Sequence, residues 1–574
     1  MDKKQISATL KKMAVMMEIS GSNPFKVRAH ENAARILEGL TASIAELVES
    51  GEITNIKGIG KGMTDKITLL LNDEVLEEYE ELKASIPEGV MEMTGISGMG
   101  PKKIKAIWQQ QGITSVDALE AACKEDKLSD MKGFGKKTQE KILRNIELLR
   151  KFKDSFLLSE AKPAGEDLLA SIQAFPGVMR AEVAGSLRRS KEVVKDIDIV
   201  VSAEKVDRVN IMQLFTSLPN VESIVGQGET KSSIVLKSGI NADLRIVSDE
   251  QFPNTLHHFT GSKEHNVALR QRAISMGMKV SEYGLFRGEE LIKCEDEKEL
   301  FTHLGLDFIS PELRENFGEI EAAAEKRLPK LVKGSDIRGI IHTHTTYSDG
   351  ANTVEEMARG CQSAGYEYIV ISDHSKSAAY ANGLSEERII KQHAEIDEVN
   401  SRLDGFRILK GIECDILADG RMDYSDEVLA SFEVVIASIH SKFGMTEKEA
   451  TDRVIRALEN PYVNILGHLT GRLLLSREGY PLDQRAVIDA AGELGVSIEI
   501  NANPHRLDMD WRYCQYAIEK GVMMSVNPDS HRVAGFSDMQ YGIGMARKGW
   551  LSKEQVLNTY SADEVLAFVN KRRH

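Results

Sequence analysis

At 574 residues the chain exceeds the size at which a single hydrophobic core stops growing, so several domains are expected. Its 42% hydrophobic and 28% charged content is that of a water-soluble globular protein, and no apolar run approaches the length of a membrane span. The net charge of −15 argues superficially against nucleic acid, but it is unevenly spread: +1 over residues 1–153, −6 over 154–335 and −10 over 336–574. Contact with a polyanion depends on local patches rather than on the total.

Residues 1–80 read as helical, with apolar residues at three- and four-residue spacing over Lys3–Met17 and Lys26–Leu37. The pattern Gly58-Ile59-Gly60-Lys61 then returns as Gly98-Met99-Gly100-Pro101 and as Gly133-Phe134-Gly135-Lys136. One Gly-x-Gly marks only a tight turn, but three copies at spacings of 40 and 35 residues indicate a repeated element. The copies resemble the helix-hairpin-helix, whose glycines let a DNA phosphate approach backbone N–H groups at a helix N-terminus. The resemblance implies sequence-independent grips on DNA through Gly58, Gly60, Lys61, Gly98, Gly100, Gly133, Gly135 and Lys136. Two helical domains are expected, 1–80 with the first repeat and 81–153 with the other two.

Residues 154–245 carry the first catalytic pattern. In Lys195-Asp196-Ile197-Asp198-Ile199 a strand would point both carboxylates to one face and both isoleucines into the core. Asp243 follows in a second strand-like run that can lie alongside, two residues before Arg245, which is expected to pair with one of the aspartates. Adjacent carboxylates repel and are kept chiefly where cations neutralise them. Three hard oxygen ligands, with Gly185 and Ser186 opening a phosphate-holding helix, suit two Mg²⁺ ions (or Mn²⁺) and a triphosphate.

This Gly-Ser…Arg-Arg…Asp-x-Asp…Asp order resembles the nucleotidyltransferase palm of the family X DNA polymerases, the DNA polymerase beta group. The resemblance assigns Asp196, Asp198 and Asp243 to catalysis and Gly185, Ser186 and Arg189 to the triphosphate. It continues in His258-Phe259-Thr260-Gly261-Ser262, with Asn266 and Arg270 on the next helix, where it implies packing on the incoming nucleotide. His258 stands where that family has Tyr, which bears on ribose exclusion. The matching segment, 246–318, would be a small nucleotide-closing, thumb-like domain, and charged 319–335 a linker. In the first repeat the resemblance puts Lys66 at the position of a Schiff-base lyase lysine, with Lys26 nearby. A phosphate-binding or solvated role is the better reading of Lys66, because His30 stands where an aromatic hydroxyl is expected.

Residues 336–574 repeat one theme seven times: an apolar strand ending in a ligand-type residue, then an amphipathic helix. Such units close into a parallel barrel whose C-terminal strand ends share one mouth. His342, His344, His374, His440, His468 and His531 fall at those ends, joined by Asp349, Glu413 and Asp529, whereas His393, His505 and His574 stay unassigned. Imidazole and carboxylate without thiolate suit Zn²⁺, Mn²⁺ or Fe²⁺. Nine ligands exceed what one ion uses, so three Mn²⁺ or Zn²⁺ ions are expected. The His-Thr-His, Ser-Asp-Gly, Asp-His, Ile-His-Ser and Pro-Asp-Ser-His motifs resemble the polymerase-and-histidinol-phosphatase (PHP) metallophosphoesterases.

The fold class expected is therefore multidomain: helical helix-hairpin-helix N-terminal region, α/β palm with thumb-like domain, and C-terminal (β/α)₇ PHP barrel. The whole resembles bacterial family X polymerases with a PHP domain. That implies gap filling from dNTPs on gapped or nicked duplex DNA in base excision repair. The barrel would add 3′→5′ exonuclease or 3′-end-processing phosphoesterase activity, with abasic-site incision in some members. A monomer without membrane contact is expected. The five cysteines are scattered without a Cys-x-x-Cys pair and the opening Met-Asp-Lys-Lys has no apolar stretch, both of which fit the cytoplasm. Two rivals are a DNA-binding scaffold with a dead palm, opposed by the three aspartates, and a small-molecule phosphatase, opposed by the three DNA-gripping repeats.

Overall fold

The computed structural model of the protein describes residues 1, 3–40 and 43–573, so His574 lies outside the described residues. Two compact units divide at Lys153/Asp154.

The N-terminal unit is helical throughout, beginning with Lys3–Ser20 and Pro24–Gly39. Its three Gly-hydrophobic-Gly turns share one backbone geometry. The first glycine is left-handed each time, with φ of 101° at Gly58, 80° at Gly98 and 92° at Gly133, which only glycine adopts cheaply. The second glycine caps a helix: Gly60 before Lys61–Leu71, Gly100 before Pro101–Gln111, Gly135 before Lys136–Lys151. The residue between them (Ile59, Met99, Phe134) is buried and pins the turn to the core. None of the three helix starts has a side-chain cap, so their first N–H groups stay available.

In the second unit the palm is a five-stranded sheet. Its strands are β1 (Val178–Val183), β2 (Asp196–Ala203), β3 (Val221–Gln227), β4 (Lys231–Leu236) and β5 (Asn241–Val247), ordered β1-β2-β5-β4-β3. Only β2 and β5 run parallel, which brings the two acidic segments side by side. The following domain packs Leu269, Leu285, Leu300, Phe301 and Leu313 into its own core. Segment 319–335, expected as a linker, starts with helix Glu319–Ala324, and Ile320 and Ala323 join that core. Glu319 is fully buried there, 2.6 Å from His265 Nδ1.

The remaining strands are β6 (Gly339–Thr343), β7 (Tyr368–Ile371), β8 (Arg407–Asp415), β9 (Val434–Ser438), β10 (Ile465–Leu466), β11 (Ser497–Asn501) and β12 (Met524–Asn527). They are parallel and follow one another in chain order. Parallel strands sandwiched between barrel interior and helices read as apolar runs, and β6, β7, β9, β11 and β12 are buried at every residue. The ends of the sheet approach through the Thr343–Ser530 bridge, where Ser530 N donates to His342 O at 3.2 Å and His344 N to Ser530 O at 2.8 Å. The result is a nearly closed seven-stranded barrel. Outside it lie helices such as Val354–Ser363, opened by a Thr353–Glu356 capping box and burying Val354, Met357, Ala358 and Cys361 on one face. All five cysteines are buried and unpaired, and among the described residues no helix is long and apolar enough to cross a membrane.

Candidate active sites

In the palm, register puts Asp198 directly opposite Asp243, and Asp196 opposite Asn241. Ile197 and Ile199 are buried beneath. Burial, then the charges of Asp196 and Asp243, push the Asp198 carboxyl up to about 7. Burial and Asp243 raise Asp196 as well. So strained a trio fits cations, and the cation at hand is Lys231, whose Nζ lies 2.7 Å from Asp243 Oδ2. The ion pair expected of Arg245 is not the contact it makes: its guanidinium lies over the Phe259 ring at 4.3 Å.

Gly185 must be glycine. Its φ is 64°, and a Cβ there would sit 2.1 Å from Asp198 Oδ2. The helix it opens is only one turn, Gly185–Arg188, with Ser186 second. Arg189 faces inward, donating to Glu315 Oε1 at 3.0 Å and to Thr260 O at 2.7 Å. Arg188 reaches Thr260 Oγ1 and Glu297. These bonds tie the Gly-Ser turn to the segment that ends helix Phe252–Thr260. Beyond it, Asn266 Nδ2 donates to the carbonyls of His258 at 2.8 Å and Gly261 at 3.2 Å, and Arg270 Nε to Asn266 O at 3.0 Å. A Cβ on Gly261 would come 2.7 Å from Asn266 Oδ1. His258 Nε2 lies 3.7 Å from Glu282, and its ring meets Phe259 edge-on. In the N-terminal unit Lys66 Nζ is held by Glu78 and by His30 Nε2 at 2.9 Å, while Lys26 is exposed.

At the barrel mouth Glu413 is the hub. Its carboxylate meets His468 Nε2 at 3.0 Å, His342 Nε2 and His440 Nε2 at 3.3 Å each, and His374 Nδ1 at 2.7 Å. Asp529 Oδ1 lies 3.2 Å from His344 Nε2 and 3.6 Å from His342 Nε2. Exposed Asp349 meets His531 Nε2 at 3.3 Å and His374 Nε2 at 3.6 Å. The His344 ring stacks between His374 and His531, at 4.3 and 4.2 Å. Three groups of donor atoms converge: His344, Asp349, His374 and His531; His342, His344 and Asp529; His374, Glu413 and His440. Shared His344 and His374 join them into one cluster, and His468 attaches through Glu413.

The donor chemistry fits metal ions. His344 Nδ1 and His468 Nδ1 are buried without a hydrogen-bond partner, and His342 Nε2, His374 Nδ1 and Glu413 Oε2 face one another without the geometry of a hydrogen bond, a state a protein tolerates where something else supplies the bond. His342 (φ 66°) and Asp529 (φ 52°) hold left-handed backbone at the ends of their strands, strain of the kind functional sites keep. The field is uneven. Burial and the neighbouring His531 and His374 lower His344 to about 3. Burial works against charge on His440 and His531 too, but Glu413 and Asp415 hold the first at about 10, and Asp349 and Asp529 the second at about 9.

Sequence reasoning missed the residues that aim these ligands. Buried Glu499 accepts from His342 Nδ1 at 2.6 Å and from Asn527 Nδ2 at 2.8 Å. Asp415 accepts from His440 Nδ1 and from Ser377 Oγ. Carboxylates behind imidazoles fix the ring's orientation and tautomer. Glu499 was visible at a strand end, but nothing in spacing separates an acid that binds an ion from one that orients a histidine. Arg506 Nε, 3.7 Å from Asp529, and exposed Tyr380, 6.3 Å from the His374 ring, also border the mouth.

Comparison with known proteins agrees with this division. A helix-hairpin-helix domain matches residues 1–76, a SAM-like helix-hairpin-helix tandem 90–147, a DNA polymerase beta thumb 255–315 and a PHP domain 341–503. A DNA polymerase/3′-5′ exonuclease PolX of Bacillus subtilis is 39% identical over 575 residues, covering 100% of both chains. A probable phosphatase of Caldanaerobacter subterraneus is 30% identical over 243 residues, 40% of this chain and 91% of that one. Another, of Acetivibrio thermocellus, is 34% identical over 202 residues, 33% and 78% of the two chains. The phosphatases match a part of the chain and the polymerase matches all of it. With its helix-hairpin-helix segments, thumb and metal-fitting barrel in one order along the full shared length, the chain belongs to the bacterial family X DNA polymerases that carry a C-terminal PHP domain.

Proposed function

We propose that this protein fills short gaps in duplex DNA from dNTPs during base excision repair and processes 3′ ends at a separate barrel site. The observation that carries the reading is the β2–β5 register, which sets Asp198 against Asp243 with Asp196 on the same face. Asp196, Asp198 and Asp243 would hold two Mg²⁺ or Mn²⁺ ions, which supply charge to bring a 3′-hydroxyl and a triphosphate together. The chain's own part is positioning. Gly185 leaves room for Asp198, Ser186 and Arg189 offer donors to phosphate, and Phe259 to Gly261 present backbone to the sugar. The glycine turns at 58–60, 98–100 and 133–135 would grip the DNA backbone. The protein would act as a monomer on cytoplasmic, nucleoid-borne DNA. Lys66, held by Glu78, would serve as an ion-pair partner and not as a lyase nucleophile.

In the barrel, the nine side chains from His342 to His531 would hold three Mn²⁺ or Zn²⁺ ions, which polarise a phosphodiester and acidify water. Glu499 and Asp415 keep His342 and His440 turned toward the centre. The same hydrolysis would serve 3′→5′ removal of nucleotides, trimming of blocked 3′ ends and incision beside an abasic site. Elemental analysis of the intact protein after gel filtration is expected to give three transition-metal ions per chain. An active, fully loaded protein with one would contradict the trinuclear assignment. The function itself is tested by incubating the protein with end-labelled gapped DNA in Mg²⁺ and then in Mn²⁺. Extension with dNTPs and shortening without them are expected. Failure to extend under any condition would refute the polymerase reading.

A further inference from the structure

A buried lysine from the barrel reaches the palm and the thumb-like domain at once. Lys548 ends helix Met539–Lys548, which follows β12 and packs on the barrel. Its side chain is wholly shielded from solvent. The Nζ lies 2.5 Å from Glu315 Oε1 and donates to Arg189 O at 3.2 Å and Glu312 O at 3.4 Å, over the Trp511 ring at 4.7 Å. The fit is local and tight. A Cβ on Gly544, one turn earlier, would come 3.2 Å from Ser190 Cβ, and Arg547 Nε donates to Glu312 Oε1 at 2.6 Å.

Glu315 Oε1 is therefore shared. It accepts from Lys548 and, at 3.0 Å, from Arg189 Nε, whose side chain is one-tenth exposed. With Nε on this carboxylate and Nη1 on Thr260 O, the Nε–Nη2 edge of Arg189 can grip a triphosphate bidentately only after Nε leaves Glu315. Leaving a buried carboxylate without a counter-ion is costly, whereas one that keeps a second cation stays neutralised. We propose that Lys548 of the barrel is a positioning residue for nucleotide addition: by neutralising Glu315 it frees Arg189 to engage the incoming triphosphate. The proposal rests on the assignment of Arg189 to the triphosphate above. It gives the PHP barrel a part in polymerisation that does not pass through its own metal site.

The test measures dNTP KM and kcat on gapped DNA, with barrel exonuclease read separately. Lys548→Met is expected to raise dNTP KM about tenfold, with kcat and exonuclease within about twofold of the parent. Lys548→Arg keeps the charge and is expected to retain most of the parent KM. Lys548→Met combined with Glu315→Gln removes both charges and is expected to return KM to within about twofold of the parent. A folded Lys548→Met protein with unchanged KM, or a double variant that keeps the defect, would overturn the proposal and leave Lys548 a packing residue. Should Lys548→Met not fold, Glu315→Gln alone decides: it releases Arg189, so KM at or below the parent value supports the proposal and a raised KM overturns it. Parent protein that extends no primer would sink the polymerase reading instead, a result distinct from any of these.

Discussion

At the residue scale, the palm is built on charge that its surroundings strain. Asp198 is the sharpest case. Its carboxyl is pushed up to about 7, so between the usual carboxylate range and that value the folded protein holds a proton that the unfolded chain has released. Stability must therefore fall as pH rises through this window, because the native state binds more protons than the unfolded one. Asp198→Asn removes the penalty. In EDTA, its gain in Tm over the parent should be larger at pH 8 than at pH 5, measured by thermal melts of both proteins. Equal gains at the two values would show that Asp198 is not under the strain its surroundings imply. The sequence made the alternation of Asp196 and Asp198 against Ile197 and Ile199 plain, because a two-residue period needs no partner to be read. It did not make Arg245 plain. A guanidinium two residues from Asp243 has both a carboxylate and the Phe259 ring within reach, and only packing from helix Phe252–Thr260 decides between them.

At the element scale, strand ends and glycine turns were legible for a physical reason. A parallel strand buried on both faces reads as an apolar run, and the first polar residue after it marks the mouth. That rule marks His342 and His468, while His440 lies two residues beyond the first polar residue, Ser438, and Glu413 lies beyond Lys410 on its strand. It was blind to Lys548, which reads on its helix as an ordinary basic residue near a C-terminus. Segment 319–335 misled for a related reason: its charge suggested solvent, yet Glu319 is buried against His265 and the alanines pack. The glycine turns carry their own prediction. Lys61 and Lys136 are exposed at the first positions of two helices whose N–H groups are uncapped. Lys136→Glu should weaken binding to gapped DNA of every sequence by a similar factor. It should also make the salt dependence shallower by about 0.9 in log–log slope for each phosphate that is no longer neutralised. Binding titrations at several salt concentrations measure both. A weakening confined to one sequence would contradict a backbone grip.

At the scale of the whole molecule, the chain carries a barrel cluster of imidazoles and carboxylates whose donor atoms converge, and a palm trio of carboxylates that we propose binds cations. The order of domains was readable because two unrelated motif sets stand in series. The meeting of palm and barrel was not, since Glu315, Arg189 and Lys548 are far apart in sequence and come together only in the folded unit. On the proposed reading, nucleotide addition and nucleotide removal occur at different centres of one protein. Crossing two variants on a single end-labelled gapped substrate tests it most directly. Asp198→Ala should abolish extension with dNTPs while shortening of the primer continues. His440→Ala should extend like the parent, while shortening falls by orders of magnitude because a ligand of the barrel centre is gone. Either variant, folded as judged by its melting curve, losing both activities together would contradict the account.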